Sequence, residues 1–250
     1  MGGEHVPAKD YRSLIGILHP EKGQFCTGAL IAPDTVLTAA HCFEDLDIPA
    51  SKVRLIGGRT NLADKGGEIR NALKVETHPS YEGVASDYDA ALVTLNRPMP
   101  YKTMPLALDS NSSLYNYGRN AEALGWGATK DRSSLIEADP STSSRLKRAT
   151  LVTAPMSKCG PWANDSSVTF CALPRPGKAE SICSGDSGGP LIAKGRIIGI
   201  VSSGNKYCVP DTAYSTYTRV SSIASGLGLK TANRTSYSAT PDDASHYSSE

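Results

Sequence analysis

The sequence predicts an all-β fold of short antiparallel strands. Three observations carry this. Apolar stretches are four to six residues long and are separated by turn-forming residues. Glycine and proline are plentiful, at 23 and 16 of 250 residues. Stretches with helical periodicity are scarce. The first group of strands reads as 13–18, 27–31, 35–40, 53–56, 72–75 and 91–95. A proline-containing, polar stretch from Asn96 to Ser113 reads as a linker. The second group reads as 121–124, 149–153, 167–171, 190–193, 197–202 and 216–220. A terminal helix is expected over 220–229, weakened by Gly226 and Gly228 at about 1 kcal/mol each relative to alanine. After Lys230 the chain is rich in Ser, Thr, Asp and Ala, a composition expected to be disordered. Strand counting leaves two packed barrels and a sandwich both open.

Bulk properties narrow the function. A chain of 250 residues can bury a substantial core, and its formal charge of +1 implies no basic face for nucleic acid. No stretch is long and apolar enough to span a bilayer. Six cysteines, at 26, 42, 159, 171, 183 and 208, permit three bridges, with every connectivity open on composition alone. None has zinc-finger spacing, and no metal cluster, phosphate loop or cofactor fingerprint occurs, so no cofactor or metal is expected. Bridged cysteines and three glycosylation acceptors, Asn111, Asn164 and Asn233, point to a secreted, extracellular protein.

The chemistry-bearing segment is Gly185-Asp-Ser-Gly-Gly-Pro190. A serine hydroxyl is a poor nucleophile and needs a base, together with donors aimed at the oxygen that becomes negative during attack. Glycines around Ser187 let the backbone turn tightly, and the N–H groups of Gly185 and Ser187 are the candidate oxyanion donors. The candidate base is His41, in Leu37-Thr-Ala-Ala-His-Cys42. The candidate orienting acid is Asp89, which directly precedes the apolar Ala-Ala-Leu-Val run; Asp87 is its competitor.

Five segments in register give a resemblance: Thr38-Ala-Ala-His-Cys42, Asp89-Ala-Ala-Leu, Gly125-Trp-Gly127, the Ser187 hexapeptide and Tyr217-Thr-Arg-Val220. From Gly2 to about Leu229 the chain resembles the chymotrypsin/trypsin family of secreted serine proteases, whose triad also runs His, Asp, Ser along the chain. The resemblance implies two six-stranded antiparallel β-barrels with the active site between them and a short C-terminal helix. It implies one protease domain over 1–229, with the crossover at about 96–120, and a tail over 230–250. It pairs Cys26 with Cys42, Cys159 with Cys171, and Cys183 with Cys208. It makes Asp186 the acid that receives a freed amino group on activation. It places Ser181 at the base of the substrate pocket, Ser202, Ser203 and Gly204 along the strand that pairs with substrate, and Ser215 on the far wall. A base without a carboxylate implies an apolar residue before the cleaved bond; Glu180 neighbours the base but is expected to point elsewhere, and Asp211 is a loop acid that could restore basic specificity. Ser203 stands where many relatives carry tryptophan. The implied partners are polypeptide substrates and protein protease inhibitors, met by a monomer.

The family's mature chain begins Ile or Val, a variable residue, then Gly-Gly. Here Met1 alone precedes Gly2-Gly3, so an amine at Met1 is expected to fall about one residue, roughly 3.3–3.6 Å, short. Either the sequence lacks a leader and activation segment, or the protein is a noncatalytic homologue. Such a homologue would be a binding or inhibitor protein of the kind that plant pathogens direct against host glucanases. The intact triad favours the first reading.

Overall fold

The computed structural model describes residues 2–7, 10–84, 86–110, 112–129, 142–159, 165–204, 208 and 214–230. All twelve expected strands are present, in two closed antiparallel barrels. The first holds β2 (Leu14–His19), β3 (Gly23–Ala32), β4 (Thr35–Thr38), β5 (Arg54–Gly57), β6 (Glu68–Thr77) and β7 (Ala91–Leu95), in the order β2-β3-β4-β7-β6-β5. The second holds β8 (Asn120–Gly125), β9 (Lys147–Ala154), β10 (Thr169–Pro174), β11 (Pro190–Ala193), β12 (Arg196–Gly204) and β13 (Ser215–Arg219), in the order β8-β9-β10-β13-β12-β11, with β11 pairing back to β8. A short strand, β1 (Glu4–His5), adds to β9. Two residues carry no periodic signal, so β1 has no counterpart among the expected strands.

Side-chain alternation sets which face of each strand is buried. In β7, Ala91, Val93 and Leu95 point inward while Leu92 and Thr94 are half-buried. Ile15, Ile17, Leu30, Val36, Leu55 and Val93 fill the first barrel. Leu151, Phe170, Leu191, Ile198, Val201 and Tyr217 fill the second. Fully burying an apolar side chain of this size contributes about 1.5–3 kcal/mol, so these two clusters hold the strands together. Leu14, Leu124, Trp126, Leu146 and Ile192 form a third cluster that draws on both barrels.

The crossover runs from the end of β7 to the start of β8 and is tied down at several of its described residues. Met99 N–H donates to Pro33 O at 2.7 Å, and Met104 N–H to Leu30 O at 2.9 Å. Tyr115 Oη donates to Ala107 O and accepts from Ser221 N–H, fastening the linker to the C-terminal helix α1 (Val220–Ile223). That helix is shorter than expected: residues 224–228 form turns, in keeping with the poor helix propensity of Gly226 and Gly228. Among the described residues no helix is long and apolar enough to cross a membrane. The tail beyond Lys230, Met1, Asp211 and the acceptors Asn111, Asn164 and Asn233 lie outside the described residues.

Candidate active site

β4 ends two residues earlier than the expected 35–40 strand. Its last pair is Thr38 with Ala91, the first residue of β7. Beyond that pair, the acceptor for His41 N–H is a side chain: Asp89 Oδ1, at 3.0 Å. The chain therefore leaves the ladder and turns through a single 3-10 turn, Ala40–Phe43, that carries His41. The Cys26–Cys42 disulfide anchors this turn to β3.

Asp89 is 3% exposed, a depth at which a carboxylate needs partners. It has three. Oδ1 takes the backbone N–H of His41, and Oδ2 lies 2.7 Å from His41 Nδ1 and accepts from Ser202 Oγ at 2.7 Å. These contacts hold the ring with Nδ1 on the acid and Nε2 without a partner among the described residues. Asp87 is occupied elsewhere: its Oδ1 accepts from Thr169 Oγ1 at 2.8 Å, a bond to β10 of the second barrel.

The Ser187 loop is fixed by its carbonyl groups. Ser184 O accepts from Ala128 N–H at 2.8 Å, and Asp186 O accepts from Gly189 N–H at 2.9 Å. In a trans peptide the N–H points opposite to the C=O, so these bonds turn the Gly185 and Ser187 N–H groups the other way. Neither N–H donates to any acceptor among the described residues. The Gly185 carbonyl is held by Gln24 Nε2 at 2.8 Å and Thr27 Oγ1 at 2.9 Å, and the Ser187 carbonyl by Thr27 N–H at 2.8 Å. Gly188 has φ +78°, and a Cβ there would sit 2.0 Å from Thr38 Oγ1 and 2.5 Å from Thr27 O, so a side chain is excluded on both counts.

Asp186 carries its carboxylate to the Gly125-Trp-Gly127 segment. Its Oδ1 accepts from Gly127 N–H at 2.8 Å and its Oδ2 from Cys183 N–H at 2.9 Å. Burial pushes its carboxyl up, opposed by these two bonds and the nearby Lys147 ammonium. A Cβ at Gly127 would lie 2.3 Å from Asp186 Oδ2, so the Gly-Trp-Gly segment leaves room for the carboxylate. Gly2 and Gly3 line the same small cavity as Asp186, and Lys147 Nζ donates to Gly2 O at 2.7 Å.

The expected pocket residues also converge. Ser203 and Gly204 pair with Thr216 and Ser215 in the β12–β13 ladder. Ile182 lies against Gly204, which brings the Ser181 segment opposite that strand. Cys183 and Cys208 are bridged, and Ser181 Oγ donates to Cys208 O at 3.4 Å. Ser203 Oγ is bonded to Thr216 Oγ1. Glu180 turns away, its Oε2 accepting from Thr150 N–H at 2.7 Å. Cys159 is bridged to Cys171. One group of metal-ligating atoms, from Cys26, His41 and Cys42, lies within 4.8 Å. Both sulfurs are joined in a disulfide, so the group offers no thiolate.

Sequence reasoning missed the anchors of the Ser187 loop, Gln24 and Thr27. Both act on backbone carbonyls, and such contacts impose no residue pattern. His41 and Ser187 border one cleft of about 300 Å³. Among the described residues no hydrogen bond joins them.

The trypsin family model matches residues 1–226. A trypsin of Saccharopolyspora erythraea is 29% identical over 208 residues, covering 82% of this chain and 86% of the relative. Trypsin 5G1 of Aedes aegypti is 30% identical over 239 residues, covering 89% of this chain and 81% of the relative. Snake venom serine protease rhinocerase 4 of Bitis rhinoceros is 32% identical over 230 residues, covering 88% and 82%. The solved structure of human heparin binding protein superposes with a TM-score of 0.73 at 22% identity, covering 88% of this chain and 92% of that one, a likeness of fold. With the family match spanning both barrels and all five sequence markers, the chain belongs to the chymotrypsin/trypsin-like serine protease family.

Proposed function

We propose that this protein is a secreted serine endopeptidase that cleaves peptide bonds through an acyl-enzyme on Ser187. The observation that carries the proposal is an imidazole oriented by a buried carboxylate and bordering one cleft with Ser187, whose N–H, like that of Gly185, has no acceptor among the described residues. In this reading His41 Nε2 takes the Ser187 proton as Oγ attacks the substrate carbonyl. The N–H groups of Gly185 and Ser187 receive the oxyanion. Asp89 stabilises the imidazolium, and His41 then protonates the departing amine. Water enters and the same steps release the acid. Ser181, Ser202, Ser203, Gly204 and Ser215 form the pocket for the residue before the cleaved bond. With serine at its base, that residue is apolar and not Lys or Arg. Three disulfides support the secreted part of this reading, since such bridges persist in oxidising compartments.

The test is labelling of the correctly processed protein with a serine-reactive phosphonyl probe. Labelling at Ser187, lost in Ser187→Ala, is the expected result; a processed protein that never labels sinks the reading.

One observation favours a second reading, a noncatalytic binding or inhibitor protein: the lack of a His41–Ser187 hydrogen bond among the described residues. Such bonds commonly tighten only when substrate is present. Stable capture of a partner protein, without hydrolysis of any peptide, would establish this second role.

A further inference from the structure

The cleft shared by His41 and Ser187 extends away from the proposed substrate strand. It shares no residue with Ser202–Gly204 or Ser181, which take the acyl side of the substrate. Resting on the endopeptidase reading, this cavity therefore receives the amine side of the scissile bond, the part that leaves with the proton from His41. Its floor is apolar, made by Phe25, Leu46 and the Cys26–Cys42 disulfide. Its mouth carries charge from three side chains: Lys22, Asp45 and Asp47.

Those charges are unequally matched. Lys22 Nζ donates to Asp47 Oδ2 at 2.5 Å, so these two cancel. Asp45, in the turn immediately after the His41 3-10 turn, is exposed and has no ion-pair partner among the described residues. A buried polar group faces the same space. His19 is 7% exposed, and its Nδ1 accepts the N–H groups of Glu21 and Lys22, both at 3.1 Å, which fixes the ring proton on Nε2. Nε2 lies 3.2 Å from Asp47 Oδ1, but off the line needed for a bond, so its N–H is left without an acceptor.

We infer that this cavity is a leaving-side pocket for a basic side chain, with Asp45 as the residue that sets the preference. An apolar floor beneath an unpaired carboxylate matches Lys or Arg, whose methylene stem packs on apolar surface while the charged head stays near water. A glutamate in this place would meet Asp45 with nothing to offset it.

The experiment compares kcat/KM for quenched-fluorescent peptides identical before the scissile bond and carrying Lys, Leu or Glu after it. The processed protein should prefer Lys to Glu on the order of fivefold, the scale of one exposed ion pair. Asp45→Asn should bring the ratio close to one. Asp64→Asn, which removes an exposed carboxylate that does not line the cavity, should leave the ratio where it was. Equal rates with Lys and Glu, or a ratio indifferent to Asp45→Asn, overturns the inference while leaving hydrolysis intact. Equilibrium binding of the same peptides to Ser187→Ala protein reads the pocket without turnover. A Lys preference lost on adding Asp45→Asn supports the pocket even where no peptide is hydrolysed, an outcome that rejects the endopeptidase reading alone. Equal affinities reject the pocket.

Discussion

His41 and Asp89 are held through the Asp89 carboxylate, whereas Ser187 and its flanking amides are held through main-chain carbonyls. On the first barrel, every contact that orients the imidazole passes through the Asp89 carboxylate, and Ser202 from the second barrel completes it. On the second, the loop's shape is set by Ala128, Gly189, Gln24 and Thr27 acting on the carbonyls of residues 184–187. The first half is therefore sensitive to side-chain chemistry, and the second to steric room at its glycines.

The largest effect that would sharpen this contrast is at Asp89. Asp89→Asn keeps the shape but offers an N–H where Nδ1–H needs an acceptor. Steady-state kinetics should show kcat lower by about 10⁴-fold, the scale known for this substitution in serine proteases, with little change in melting temperature. Gly127→Ala tests the other half. Its Cβ cannot coexist with Asp186 Oδ2, so the carboxylate must abandon a buried bond. Denaturant titration should show a loss of about 3 kcal/mol, accompanied by loss of phosphonyl labelling at Ser187. A Gly127→Ala protein with full labelling would break the idea that Asp186 shapes the donor loop. Ser202→Ala removes one of three donors to Asp89 and should cost about tenfold in kcat, since a hydrogen bond to a charged group contributes about 1.5–3 kcal/mol.

The smallest effect concerns pH. His78 stacks on Tyr88, one residue before Asp89, with ring centroids 4.6 Å apart. Burial lowers its pKa from 6.5. The folded protein keeps this ring neutral while the unfolded chain takes up a proton below that value. The contribution is therefore complete above pH 6.5 and is lost as pH falls below it. Melting temperatures of the protein and of His78→Gln should converge as pH drops from 7 toward 5. Parallel curves would remove His78 from this account.

The legibility of the molecule in its sequence divides along the same line. Side-chain chemistry leaves residue types at fixed places, so His41, Asp89 and the Ser187 loop stand out as motifs, and the strands appear as short apolar runs. The resemblance, not spacing, pairs the cysteines. Main-chain work leaves little trace: nothing about Gln24 or Thr27 announces that they hold a distant loop, with Gln24 and Gly185 separated by 161 positions. The truncated β4 is hidden for a related reason. Ala39 and Ala40 suit a strand, and only the Asp89 carboxylate, brought in by β7, diverts the chain at that point. The terminal helix is shorter than its expected span because Gly226 and Gly228 act as an end and not merely as a weakness.

Thr27 gives its N–H to Ser187 and its hydroxyl to Gly185, and takes the hydroxyl of Thr38 on its own carbonyl. A wall of one barrel is thus the mould for the reactive loop of the other. Severed in the linker, the molecule would yield two incomplete halves: one with an oriented imidazole, the other with a Ser187 loop stripped of its anchors. Damage at Thr27 therefore registers on both sides of the seam between the barrels.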